Sequence, residues 1–129
     1  MNREIQPSSI APPAANYAHA VLSTNSDMLL HVSGQVAARP DGTIPDDVAD
    51  QAAVIWSNIA AILAEAGMTM TDLVSITTYV VVDFMACLPE VMAARDQALG
   101  GHRAASTLVT VPALARPAWK MEIAVVAAR

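Results

Sequence analysis

Few residues in this 129-residue chain can do chemistry, and one of them looks out of place. Glu122 sits in "WKMEIAVVAA", a run whose other members read as a β-strand over 119–127. Strand side chains alternate, so Trp119, Met121, Ile123 and Val125 share one face and Lys120, Glu122, Ala124 and Val126 the other. Periodicity leaves two readings open. Lys120 and Glu122 mark a half-solvated face, or Glu122 is a carboxylate at the rim of a small pocket, placed to orient a water or accept its proton. Ser106 and Thr107 stand near the start of the preceding strand and offer hydroxyl donors.

Other chemistry is thinly represented. There is no glycine-rich phosphate loop, no GxSxG elbow and no Cys/His set at zinc spacing. His19, His31 and His102 lie far apart in the chain, so spacing names no metal site. The lone Cys87 cannot form an intramolecular disulfide, fits a reducing compartment, and reads as packing.

Composition sets the frame for these residues. The chain is 54% hydrophobic and 15% charged, against about 25% charged in an average soluble domain. One domain of this length cannot hide so many apolar groups in its own core. The longest apolar run, "LVSITTYVVV", is half of the roughly 20 residues a spanning helix needs. The surplus therefore points to contact with further copies of the chain rather than to a membrane. A net charge of −5 with scattered basic residues gives no stripe for a phosphate backbone, so nucleic acid is not an expected partner. Pro12 and Pro13 break any leader-like apolar run, and the chain reads as cytoplasmic.

The elements that must position Glu122 follow from pattern. "IQPSSIAPPAANY" reads as irregular, "AHAVLS" and "MLLHVSGQV" as strands, and "AARPDGTIPD" as loop. A helix capped by Asp46 or Asp47 carries Val48, Ala52, Ile55, Ile59, Ile62 and Ala66 on one face and stops at Gly67. "LVSITTYVVV" is a strand, and "FMACLPEVMAARDQALGG" a second helix with Leu88, Met92 and Leu99 inward. Strands at 105–111 and 119–127 close the chain, joined by a Pro-containing turn. The expectation is a single α+β domain, β-β-α-β-α-β-β, with two helices on one face of a mixed sheet and the other face bare.

In order, "NYAHAV", "LHVSGQV", "QAAVIWSNIAAILAEAGMTMTDLVSITTYV", "DF", "GHRAASTLVTV" and "MEI" resemble the reactive intermediate deaminase family, also called Rid or YjgF. The resemblance covers nearly the whole chain, and its force lies in the order and spacing of the pieces. It implies a chorismate-mutase-like fold and a homotrimer whose sheets form a central barrel, with a ligand cleft at each subunit interface. It also implies hydrolysis of reactive enamines and imines, such as 2-aminoacrylate and its tautomer, to a keto acid and ammonia, with no metal or organic cofactor.

Position by position, the resemblance makes Glu122 the glutamate that positions the attacking water and Tyr17 the cleft tyrosine. Ser33 and Gly34 become the backbone-contact segment. The family's pattern Gly-His-Arg-Pro-Ala-Arg-Thr reads here Gly101-His102-Arg103-Ala104-Ala105-Ser106-Thr107. Ser106 thus replaces the arginine that clamps the substrate carboxylate. Leu108 stands where cysteine is frequent, and Leu88 at or near a frequent asparagine. A bidentate Arg–carboxylate contact contributes about 1.5–3 kcal/mol and a neutral hydroxyl about half that. The implied substrate is accordingly less acidic or larger than 2-aminoacrylate, unless Arg103 or Arg116 substitutes. Two other functions stay open: a ligand-binding or chaperone-like trimer of the same fold, and a ribonuclease or translation inhibitor, which the acidic charge and the lack of a basic stripe disfavour.

Overall fold

The computed structural model describes residues 1–129. Its elements are β1 (Asn2–Ile5), β2 (Ala20–Ser23), β3 (Leu29–Gln35), α1 (Val48–Glu65), β4 (Leu73–Val81), α2 (Leu88–Leu99), β5 (Ala105–Val111) and β6 (Met121–Ala128). Four strands form one mixed sheet in the order β3-β6-β4-β5; β4 and β5 are parallel, and β6 runs antiparallel to both its neighbours. β1 and β2 pair as a separate antiparallel ribbon.

Helix α1 forms where its caps and apolar stripe agree. Asp47 accepts the Ala49 N–H at 2.8 Å, and Gly67 takes φ +71°, letting the Met68 N–H turn back to the Leu63 carbonyl. The buried stripe is Val48, Gln51, Ala52, Ile55, Trp56, Ile59 and Leu63, so Leu63 takes the place expected for Ile62. It packs with Ile76 and Val80 of β4 and Met121, Ile123 and Val125 of β6 into one core. Both helices cover this face and the other is left open, as the pattern required. In the loop before α1, the Thr43 hydroxyl and then its backbone N–H donate to Asp41 and hold its carboxyl below the usual carboxylate range.

The stretch from 5 to 17 is irregular after Ile5, as pattern implied, and ahead of it Asn2–Ile5, for which pattern named no element, pairs with Ala20–Ser23. One expectation needs correction. The second helix begins at Leu88 rather than Phe84, and residues Val82–Cys87 form a 3-10 segment broken at Phe84. Pro89 explains the change: within a continuous α-helix its ring would strike the Met85 carbonyl, which here accepts from the Leu88 N–H instead. The inward residues of α2 are Val91, Arg95 and Leu99, with Met92 half-buried. Arg95 is only 6% exposed, and its guanidinium is held by Asp96 at 2.9 and 3.0 Å.

Gln51 ties the core to the β5–β6 connection. Its fully buried amide donates to the Pro45 and Ala118 carbonyls at 2.7 and 2.9 Å and accepts the Lys120 N–H at 3.1 Å. Gln51→Ala strands three backbone groups and should lower the unfolding free energy by about 2 kcal/mol, measured as a fall in denaturant midpoint at unchanged slope.

Candidate functional site

Glu122 is the second residue of β6, and register decides what it meets. Its cross-strand partner on β4 is Tyr79, and both are half-buried on the open face. On its other side β3 carries a bulge. Val32 pairs with Val125 and Gln35 with Ile123, so three steps along β3 match two along β6. Ser33 and Gly34 fall inside that bulge, and the Gln35 amide donates to the Ser33 carbonyl at 3.0 Å.

The bulge brings the Gly34 backbone against the Glu122 carboxylate. A methyl group at Gly34 would stand 2.7 Å from both Cδ and Oε2 of Glu122 and 2.9 Å from Cγ. The glycine is present for close approach, since its φ lies outside the left-handed region. Neither ion pair of the chain involves Glu122. This is a carboxylate laid along exposed backbone and free of a cationic partner, an arrangement suited to holding a water.

The remaining candidates divide between two places. Ser106 pairs with Ile76 and Leu108 with Thr78, both on the helix-covered face, and Leu108 packs against the core. Thr107 pairs with Thr77 and is exposed on the open face. Tyr17 reaches the start of β5 because the Ala18 N–H donates to the Ala104 carbonyl at 3.0 Å and Ala18 bridges Ala105. Its hydroxyl accepts the Ala14 N–H at 3.3 Å, and its ring meets His19 edge-on at 6.3 Å. Leu88 opens α2, partly buried against the core. Within one chain Ser106 is thus two strands and three residue pairs from Glu122, about 14 Å away, on the opposite face of the sheet. The structure gathers Glu122, Ser33 and Gly34 in one place, and Tyr17 and Ser106 in another. β5 is the edge of the main sheet, covered beside the second group by the single Ala18–Ala105 bridge and open beyond it.

The two spare arginines are also resolved. Arg103 is clamped by Glu4 of β1, with Nη2–Oε2 at 2.6 Å and Nε–Oε1 at 3.3 Å. Arg116 makes no ion pair and sits over the Trp119 ring, 5.5 Å from its centroid. What pattern reads as a connecting turn at 112–118 is the wall of a cavity of about 460 Å³. The Arg–Pro–Ala–Trp spacing was the available signal, since it sets a cation and an aromatic on one tight turn. No group of three or more His, Cys, Asp and Glu side chains converges. No helix is long and apolar enough to cross a membrane.

The chain matches the family model described as endoribonuclease L-PSP over residues 8–129. Its fold superimposes on that of YyfB from Yersinia pestis, a Rid-family protein of unknown function, with a TM-score of 0.90, 32% identity, and 99% and 98% of the two chains covered. E. coli TdcF with bound serine gives a TM-score of 0.72 at 26% identity over 96% and 93%. The RutC family protein YjgH of E. coli K12 is 43% identical over 51 residues, which span 40% of this chain and only 39% of that protein's length. With nearly its whole length matched by the family model and its fold shared throughout, the chain belongs to the Rid/YjgF (endoribonuclease L-PSP) family.

Proposed function

We propose that the protein hydrolyses imines or enamines of small organic molecules, at a site that two copies of the chain complete. The observation that carries this is the Glu122 carboxylate lying against the Ser33–Gly34 bulge with no cation to neutralise it. Glu122 takes a proton from a water as the water oxygen bonds to the C=N carbon. The C=N electron pair moves onto nitrogen, which takes that proton back from Glu122. The carbinolamine hydroxyl proton then passes through Glu122 to the nitrogen as the C–N bond breaks, leaving a carbonyl group and ammonia. An enamine enters this route as its imine tautomer. No redox change or metal is required.

The second copy is called for by the division of the site. Glu122 with Gly34, and Ser106 with Tyr17, lie about 14 Å apart on opposite faces of one sheet. An open edge at β5 and apolar side chains on the open face, such as Leu29 at 63% exposure and Val109 at 40%, give a neighbour somewhere to sit. A homotrimer built around these surfaces would bring one copy's glutamate to the next copy's edge strand. The serine bound by TdcF supports a ligand of amino-acid size. Ser106 and Leu108 give the cleft less charge than an arginine would, favouring a substrate less acidic or larger than 2-aminoacrylate. A net charge of −5 makes ribonuclease action the weaker reading.

Imines released in situ by an amino-acid oxidase provide the test. The protein should accelerate ammonia release from imines with bulky apolar side chains more than from 2-iminopropionate. Ser106→Arg should raise the rate on 2-iminopropionate by about tenfold or more; no gain would show that loss of the arginine is not what sets specificity.

A further inference from the structure

We propose that the cavity under the 112–119 loop binds a small organic monocarboxylate, with Arg116 as its anchor. Six residues carry the argument: Val81, Asp83, Phe84, Leu114, Arg116 and Trp119 all line it. The proposal deepens the reading above and rests on it for the substrate's nitrogen, whereas ligand binding itself does not depend on turnover.

Elimination among the arginines is the first step. Arg95 is buried and held by Asp96, and Arg103 is clamped by Glu4. Arg116 has no carboxylate within ion-pair distance, although it lines a cavity of about 460 Å³. Its one recorded side-chain partner is the Trp119 ring. An aromatic face attracts the guanidinium without using its five N–H donors, so the fork stays available for a two-pronged carboxylate contact.

The loop is also held in place before any ligand arrives. Pro112 and Pro117 restrict its backbone, and the Trp119 N–H donates to the Arg116 carbonyl at 3.1 Å. The Gln51 amide grips the Ala118 carbonyl, and the Lys120 ammonium reaches the Asp46 carbonyl while sitting over Phe84. An anchor fixed in this way loses little freedom on binding.

The walls define the ligand. Val81, Phe84, Leu114 and Trp119 suit an apolar or aromatic body, and Asp83 repels a second negative charge. The position relates the cavity to Glu122. Val81 shares the open face with Tyr79, the residue opposite Glu122, and lies about 7 Å from it along β4. A carboxylate at Arg116 therefore extends toward the face that carries Glu122, from the opposite end of β5 to Ser106.

Phenylacetate and isovalerate, titrated into the full-length protein and followed by backbone amide shifts, should bind saturably, with shifts at 81–84 and 114–119. Succinate should bind about tenfold more weakly or worse. Arg116→Ala should weaken phenylacetate binding about tenfold or more, with Arg116→Lys in between, because it keeps the charge and loses the fork. Arg103→Ala should bind as the wild type does. Glu122→Gln should keep the affinity and lose turnover, which separates failure of the anchor from failure of the hydrolase reading. The proposal is overturned by absence of saturable phenylacetate binding in the wild type. Affinity unchanged in a folded Arg116→Ala protein, or lost in Arg103→Ala, overturns it as well.

Discussion

Replacing Glu122 with glutamine should lower imine hydrolysis by about 1,000-fold while leaving fold and assembly intact. Glutamine fills the same volume against Gly34 and keeps a hydrogen-bonding oxygen, so a water can still dock. It cannot take that water's proton. Removing a positioned general base typically lowers rates by about 10²–10⁴-fold. The loss should fall on kcat, since a base acts as the proton moves rather than as substrate binds. Neither ion pair of the chain uses Glu122, so the denaturation midpoint should stay near that of the wild type. A variant that keeps its rate would make Glu122 the solvated surface acid that strand periodicity also allows.

Gly34→Ala tests the same carboxylate from the other side of the contact. The added methyl group would stand 2.7 Å from Cδ and Oε2 of Glu122, where ordinary contact begins at 3.4 Å. What must give way is the far end of a flexible side chain, so stability should change little. On the proposed mechanism the carboxylate oxygen would be moved away from the attacking water, and a misplacement on the order of 1 Å can lower a rate by about 100-fold. The expected result is a folded protein with normal thermal unfolding and kcat reduced about 100-fold. A large fall in stability with proportionate activity in the folded fraction would instead make Gly34 a packing residue.

The helices, the four strands of the main sheet and the cap at Asp47 could be read from local pattern, because each depends on neighbours three or four residues away or on alternation. β1 could not. "NREI" is short and charged, and it becomes a strand only through pairing with Ala20–Ser23, far along the chain. Arg95 was invisible for a related reason: its charge suggests surface, and only the packing of α2 shows it turned inward beside Val91 and Leu99.

The candidate site divides along the same line. Family resemblance named Glu122, Tyr17, Ser33, Gly34, Leu88, Ser106, Thr107 and Leu108, yet no strand pattern shows which side of "ASTLVTV" faces the helices. Leu108 and Val109 are equally apolar, and only pairing with Thr78 and Tyr79 assigns them to opposite faces. The Gly34–Glu122 contact likewise depends on a bulge that alternation does not reveal. Sequence named Arg116 as a stand-in for the missing arginine but not its cavity, which β4, the 3-10 segment and the loop build together.

The central claim is that one chain holds two incomplete halves of a site. Sedimentation equilibrium on the purified protein tests it most directly, with imine hydrolysis assayed across the same dilution series. A mass of about three 13.5 kDa chains is predicted, with activity per chain falling wherever dilution yields monomer. A stable monomer with undiminished activity per chain would contradict the account.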